Sequence, residues 1–101
     1  MLHCTMNSSA HSLKLGLEDL LADLWHARRQ NDLGRLALLT YCDMRRWARV
    51  AHEDGLAERA WNIVRSCPYA DRDSFLSQID GLIAEAEQLL ANLAAPALAS
   101  H

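Results

Sequence analysis

Apolar residues recur at steps of three and four along most of this chain, which is the spacing of one face of an α-helix. The pattern predicts four helices joined by short polar turns, with no domain boundary inside them. The expected spans are a first helix from Ser9 or Ser12 to about residue 30, a second over about 33–53, a short third over about 56–66, and a fourth that follows a cap at Asp71 or Asp73. We therefore expect an all-α fold, an antiparallel up-and-down bundle of about four helices.

The 101 residues are enough for one small domain. We expect a flexible N-terminus at residues 1–8, a single helical domain at 9–94 and a frayed C-terminal tail at 95–101. Half of the residues are hydrophobic and about a quarter are charged, a composition that is typical of a globular protein and too apolar for intrinsic disorder.

The fourth helix has the clearest pattern. Its apolar residues form two adjacent rows, one of Leu76, Ile79, Ile83, Ala86, Leu90 and Leu93 and one of Phe75, Leu82 and Leu89. Together the rows make a band wider than a two-stranded coiled coil requires. Such a band indicates packing against several neighbours, and in a domain this small it predicts a homodimer that covers the surplus apolar surface.

Turn residues stand between the predicted helices. Asn31 can adopt the left-handed conformation after the first helix, and Asp32 can cap the second. Gly55 is in the usual place just past the end of a helix. The segment LALLTYC at 36–42 is apolar nearly all round, which predicts the most enclosed part of the chain.

The charges are unevenly distributed along the chain. Overall there are 10 basic and 13 acidic residues, a balance that argues weakly against nucleic-acid binding, because that affinity comes mainly from cations on phosphates. From Arg28 to Arg72, however, nine arginines stand against six acidic residues. A basic middle between acidic ends is typical of a binding surface or of helices that pair with one another.

Three cysteines are present, Cys4, Cys42 and Cys67, without the spacing of a zinc site or the even number of a disulfide framework. We expect Cys42 and Cys67 to be buried thiols on apolar helix faces. His3, Cys4 and His11 make only a weak metal-binding pattern, so no metal or cofactor is predicted. Reduced thiols, the lack of a secretory-signal pattern and the lack of a long apolar run predict a cytoplasmic protein with no membrane segment.

Residues 10–16, AHSLKLG, resemble the phosphoacceptor motif of histidine phosphotransfer domains. That family requires a small residue four places after the histidine, where this chain has Leu15, and glycine comes one place later. The family's histidine also follows at least one complete helix. We therefore interpret His11 as a surface histidine in the first turn of the first helix.

Residues 50–64, VAHEDGLAERAWNIV, are similar to the helix-turn-helix pattern of bacterial DNA-binding regulators. Ala51 and Gly55 stand at the alanine and turn-glycine positions of that family. The family's apolar positions are occupied by Val50, Leu56, Trp61 and Val64. The resemblance implies a recognition helix whose outer face carries Arg59, Asn62 and Arg65, side chains suited to base edges and phosphates.

The chain departs from that family in two respects. Asp54 precedes the turn glycine, where the family has an apolar residue, and the preceding helix is about twenty residues long instead of about two turns. Glu58 on the reading face would also repel phosphate. Helix-turn-helix DNA binding is therefore the alternative and not the leading hypothesis.

Tryptophans and arginines supply the leading candidate for a binding surface. Trp47 and Trp61 fall near the same turn, where they can pack against each other, and an exposed Trp would indicate a partner surface. The segment RRWAR concentrates positive charge next to one of these rings. The predicted partner-binding residues are Arg45, Arg46, Trp47 and Arg49.

No combination of acid, base and nucleophile is present, so we do not expect an enzyme. The leading hypothesis is a small, non-enzymatic, homodimeric module for protein interaction or regulation in a bacterial cytoplasm, where the bacterial origin is inferred from the Arg-, Ala- and Leu-rich composition. A protein partner is expected through the arginine-rich middle. Nucleic acid is the less favoured partner.

Overall fold

The computed structural model describes residues 2–94, with side chains over 10–93, and in that range it contains four helices and no strand. The helices are α1 (Leu2–Arg29), α2 (33–50), α3 (Asp54–Arg65) and α4 (Arg72–Ala94). The predicted all-α helical bundle is confirmed. The antiparallel, up-and-down order of the helices stays a prediction.

The ends of the chain differ from the expected pattern in one respect. Helix α1 already begins at Leu2 and runs through Ser9 and Ser12, so neither serine is the N-cap. The predicted flexibility of residues 1–8 stays a prediction. The predicted frayed tail at 95–101 lies outside the described residues.

Two of the three connections follow the predicted turn chemistry. Asn31 has a φ of 54°, in the left-handed region, and the carboxylate of Asp32 accepts a hydrogen bond from the backbone N–H of Arg35 at 3.2 Å. At the start of α4, the carboxylate of Asp71 accepts from the backbone N–H of Ser74 at 2.7 Å. These side chains satisfy N–H groups that have no partner within the first helical turn.

The connection between α2 and α3 corrects the prediction for Gly55. The left-handed residue after α2 is His52, with a φ of 61°, and Gly55 lies inside the first turn of α3. The backbone N–H groups of His52 and Glu53 close the helix by donating to the carbonyls of Arg49 and Ala48. A histidine in this conformation replaces the usual glycine, at some steric cost.

Helix α2 is continuous but not uniform. Leu33–Leu38 and Arg45–Val50 are α-helical, while Leu39–Met44 between them is a π-helix, whose wider turns are often found at functional sites. The side chain of Thr40 in this segment is fully buried, and its hydroxyl has no hydrogen-bond partner in the described part of the chain.

The segment at 36–42 is not enclosed on all sides. Leu36, Leu39 and Thr40 are buried, but Leu38 is 59% exposed and Tyr41 is 43% exposed. Apolar residues all round a helix predict burial only if neighbours surround it, and α2 leaves one side open to solvent. The segment that was predicted to be the most enclosed part of the chain therefore has exposed residues on its outward side.

The core lies where α1, α2 and α3 pack against one another and against α4. Its largest fully buried side chains are Leu17, Leu24, Leu36, Met44, Leu56, Ile79, Leu82, Ile83 and Thr40. Most of the apolar band on α4 is buried within one chain. Only its end is partly exposed, at Leu89, Leu90 and Leu93, so the band supplies little surplus apolar surface for a second copy.

Candidate interaction surface

The outward side of α2 presents a row of apolar, aromatic and basic side chains that α3 completes. Leu38, Tyr41, Arg45 and Arg49 follow one another at steps of three and four along α2, and Trp61 of α3 is 40% exposed beside them. We call these five residues the open face. Exposed Tyr and Trp rings that share a surface with arginines have the composition of interface hot spots.

Arg45 lies at the centre of the open face and contacts two aromatic rings. Its guanidinium carbon lies 4.8 Å from the centre of the Tyr41 ring and 5.1 Å from that of the Trp61 ring. The two rings are 5.9 Å apart, centre to centre, and tilted by 42°. Because a cation is attracted to the faces of aromatic rings, these contacts hold the guanidinium in place while both rings stay in contact with solvent.

The positive charges of the open face are not neutralised locally. Over residues 10–93, neither Arg45 nor Arg49 forms an ion pair with a carboxylate. Their neighbour Arg46 reaches Asp43 only at 3.8 Å, with 76% of its side chain exposed. The surface therefore has the charge to attract a negatively charged group and the rings to cover an apolar one.

Trp47, one of the four predicted partner-binding residues, lies on the α1 side of α2, in a groove that it shares with Arg46 but not with Arg45 or Arg49. It is half-buried, and its indole N–H donates to the backbone carbonyl of Leu13 in α1 at 2.8 Å. Trp47 therefore joins α2 to α1, whereas Trp61 lies against Tyr41 and Arg45. The expected packing of the two tryptophans against each other was wrong, because their helices present them to different neighbours.

The residues predicted for DNA binding have partners within the chain. Arg59 donates to Glu85 of α4 at 3.1 Å, and it packs so closely on Gly81 that a side chain at that position would displace it. Arg65 donates to the amide oxygen of Asn62 at 2.9 Å. A recognition helix would need these groups for bases and phosphates, so binding DNA would first require some of these bonds to break.

A second region of the molecule uses similar residue types in another way. Arg28 of α1 forms a two-pronged pair with Asp80 of α4, at 2.7 and 3.2 Å, and the Trp25 indole donates to Glu87 at 2.8 Å. The hydrogen bond with Asp80 raises the pKa of Arg28 above its ordinary value. We call this region, together with the Arg59–Glu85 pair, the closed face, since its charged groups find partners within the chain.

The cysteines and His11 offer no further site in the described part of the chain. Cys42 and Cys67 are exposed, contrary to the expectation of buried thiols, because both lie on the outward side of their segments. His11 is exposed on α1. Over 10–93, no three His, Cys, Asp or Glu side chains come together as a metal site, and the side chains of His3 and Cys4 lie outside the described residues.

The sequence analysis named Arg45 and Arg49, which lie on the open face, but did not name Leu38 and Tyr41, which lie on the same face. Tyr41 and Arg45 are four places apart, a spacing that brings two side chains together on a helix. That signal was present in the sequence. The approach of Trp61 depends on how α3 packs on α2, which no local pattern reveals.

The fold and this surface define the class of protein, an all-α helical bundle with an exposed basic and aromatic face. Comparisons of the chain with protein-family models, with curated proteins and with solved structures found no match. None of the helices within residues 2–94 combines the length and the apolar character needed to cross a membrane.

Proposed function

We propose that this chain is a small, non-enzymatic protein-interaction module whose docking surface is the open face. The observation that carries the proposal is the arrangement of Arg45 against Tyr41 and Trp61, with both rings exposed and Arg49 beside them. The bacterial cytoplasm remains the setting that the sequence predicts.

The chemistry of the open face selects an acidic partner with apolar side chains. Leu38, Tyr41 and Trp61 offer apolar and aromatic surface, while Arg45 and Arg49 offer donors for carboxylates. The guanidinium of Arg45 is already positioned by the rings, so little of its side-chain freedom is lost when a partner binds. A purely apolar partner would leave both arginines without a counter-ion.

A protein partner is favoured over DNA because the two sets of arginines differ in availability. Arg59 and Arg65, which the helix-turn-helix alternative requires, donate to Glu85 and Asn62. Arg45 and Arg49 have no carboxylate partner over residues 10–93. The open face also has an exposed apolar residue, Leu38, at one end. An apolar side chain cannot donate a hydrogen bond to a phosphate, but it can pack against an apolar side chain of a protein.

Peptide titration tests this proposal. A fluorescent helical peptide of glutamate and leucine, with leucines at steps of three and four, is titrated with the protein and followed by anisotropy. A lysine-and-leucine peptide of the same pattern is the control peptide. We expect the acidic peptide alone to bind, with an affinity that falls as salt rises.

Matched charge reversals locate the binding surface. Arg49→Glu reverses a charge on the open face, and we expect it to weaken binding of the acidic peptide by at least about tenfold. Arg72→Glu makes the same change at the start of α4, away from the open face, and is expected to leave the affinity unchanged. Equal effects of the two variants, or equal binding of both peptides, would contradict the proposal.

A DNA duplex titrated under the same conditions tests the helix-turn-helix alternative. That alternative predicts steeply salt-dependent binding that is lost in Arg59→Ala and Arg65→Ala and kept in Arg49→Glu. The interaction proposal predicts that the duplex fails to compete with the acidic peptide.

A further inference from the structure

The outer ridge of α2 separates two grooves of opposite charge. Arg46 and Val50 form this ridge, with 76% of the Arg46 side chain and 62% of Val50 exposed. Both residues line a groove on the surface of α2 and also a groove between α1 and α2. An exposed valine at the boundary between two charged grooves is a natural point of contact for a partner that covers both.

The two grooves differ in the charges they carry. The groove on the surface of α2 contains Arg45 and Arg49 beside the ridge, and we call these two residues the basic flank. The groove on the α1 side contains Asp19 and Asp23 of α1 and Asp43 of α2, which we call the acidic flank. Over residues 10–93, neither Asp19 nor Asp23 forms an ion pair.

The order of residues around α2 makes the surface self-complementary. At about 100° per residue, a turn around the helix passes from Arg49 through Arg46 and Val50 to Asp43. A two-fold axis that lies along the ridge places the second copy so that each of its flanks lies against the opposite flank of the first. In that arrangement the basic flank of each chain faces the acidic flank of its partner, and both ridge residues, Val50 and Arg46, lie near the axis. The charge of each Arg46 is offset there by Asp43 of the same chain, 3.8 Å away.

We propose that the ridge is the interface of a symmetric dimer in which two copies of this chain pair basic flank to acidic flank. This inference rests on the proposed function and names its partner, because the acidic surface that the open face requires is supplied by a second copy. A two-fold interface is the commonest form of self-association, and it requires a patch that is complementary to itself. The dimer therefore uses the α2 ridge and not the band on α4.

The central experiment is sedimentation velocity on two charge-reversal variants, alone and mixed. Arg49→Glu places a carboxylate in the basic flank, opposite the acidic flank of the second copy, and Asp19→Arg places a cation in the acidic flank, opposite the basic one. Each variant alone is expected to dimerise at least about tenfold more weakly than the unmodified chain, because like charges face each other at both symmetric contacts.

An equimolar mixture of the two variants should recover the dimer. In the mixed pair, one contact places the carboxylate introduced in the first chain against the cation introduced in the second, and the other contact keeps the native arginine and aspartate. Arg72→Glu, outside both flanks, is the control and should sediment as the unmodified chain does. Circular dichroism of each variant checks that all of them remain helical.

Two outcomes would overturn the inference. One is an unmodified chain that sediments as a single copy at high concentration and low salt, and the other is a mixture that associates no better than its two components. A single-copy chain that still binds the acidic peptide would reject the dimer and leave the interaction module in place. A chain that neither dimerises nor binds the peptide would reject both.

Discussion

The open face and the closed face are built from the same kinds of side chain and differ in what those side chains contact. On the closed face, Arg28 and Trp25 of α1 reach acceptors on α4 at 2.7 and 2.8 Å. On the open face, Arg45 lies against two rings that are themselves exposed, and Arg49 has no carboxylate partner over residues 10–93. The donors named on the closed face have acceptors on a neighbouring helix, and the arginines of the open face have no carboxylate partner over residues 10–93.

The contrast between the two faces shows that the availability of a surface depends on what its donors contact. Arginine and tryptophan are common in both regions, so composition does not separate them. What separates them is whether a donor meets an acceptor on a neighbouring helix. The closed face holds helices together, while the open face keeps its donors and rings available.

The largest expected contrast is between Trp47 and Trp61. Trp47→Ala removes a half-buried ring and its hydrogen bond to the carbonyl of Leu13, so we expect a loss of about 3 kcal/mol in the free energy of unfolding. Trp61→Ala removes an exposed ring, and we expect a loss of about 1 kcal/mol. Urea unfolding followed by circular dichroism measures both. Equal losses would mean that Trp61 stabilises the fold as much as Trp47 does, which would contradict the distinction between the two tryptophans.

Thr40 tests the inward side of the helix that carries the open face. Its buried hydroxyl has no partner over residues 10–93, so Thr40→Val, which keeps the shape and removes the hydroxyl, should stabilise the fold by about 1 kcal/mol. Thr40→Ser keeps the hydroxyl, removes a methyl group and should destabilise by about 1 kcal/mol. A destabilising valine would show that the hydroxyl has a partner after all. Neither change should alter binding of the acidic peptide.

The ion pairs of the closed face give a smaller effect on stability. Asp80→Asn breaks the charged pair with Arg28, and because half of the Asp80 side chain is exposed, we expect a loss of at most about 1 kcal/mol that shrinks as salt rises. Arg49→Gln on the open face should leave stability unchanged and weaken peptide binding. Thermal unfolding at low and high salt checks both variants. A loss of stability in Arg49→Gln would contradict the distinction between the faces, because it would show that Arg49 also stabilises the fold.

The cap of α4, the helix that supplies the acids of the closed face, gives the smallest effect, and it depends on pH. The backbone N–H of Ser74, which donates to the carboxylate, holds the pKa of Asp71 below its ordinary value of 3.8. The ionised cap therefore adds stability above that value and loses it as the pH falls through the lower, folded pKa.

Asp71→Asn isolates the contribution of the charge, because the asparagine side chain can accept the same backbone hydrogen bond but has no titratable group. We expect the variant to be slightly less stable near neutral pH and the difference to vanish in acid, below the folded pKa of Asp71. Thermal unfolding across the acid range measures it. A difference between the two chains that does not change with pH would assign the effect to something other than the carboxylate.

The sequence predicted the helices well because their signals are local. Steps of three and four located all four helices, and Asn31, Asp32 and Asp71 took their predicted places in the turns. The prediction for the turn between α2 and α3 was wrong. It relied on Gly55, because glycine is the residue that most often adopts the left-handed conformation after a helix, but His52 adopts that conformation here.

The candidate site was only half predictable, because burial depends on which neighbours a helix meets. The arginines of α2 were predicted because they lie close together in the sequence. The four-residue spacing of Tyr41 and Arg45 could have added Tyr41 to the same surface. The direction of Trp47 toward α1, and of Trp61 toward Tyr41, follows from packing between distant parts of the chain. For the same reason, the exposure of Cys42 and Cys67 could not be read from their apolar surroundings.

The three tryptophan indoles allow the open face to be tested as the binding surface in one measurement. Trp25 lies on the closed face, Trp47 between α1 and α2, and Trp61 on the open face, and each gives one indole N–H signal in a ¹⁵N-correlated NMR spectrum. The spectrum is recorded while the acidic peptide is added to protein dilute enough to remain a single copy. We expect the Trp61 signal to shift most and the Trp25 signal to stay in place. A shift at Trp25 with none at Trp61 would contradict the assignment of the open face as the binding surface.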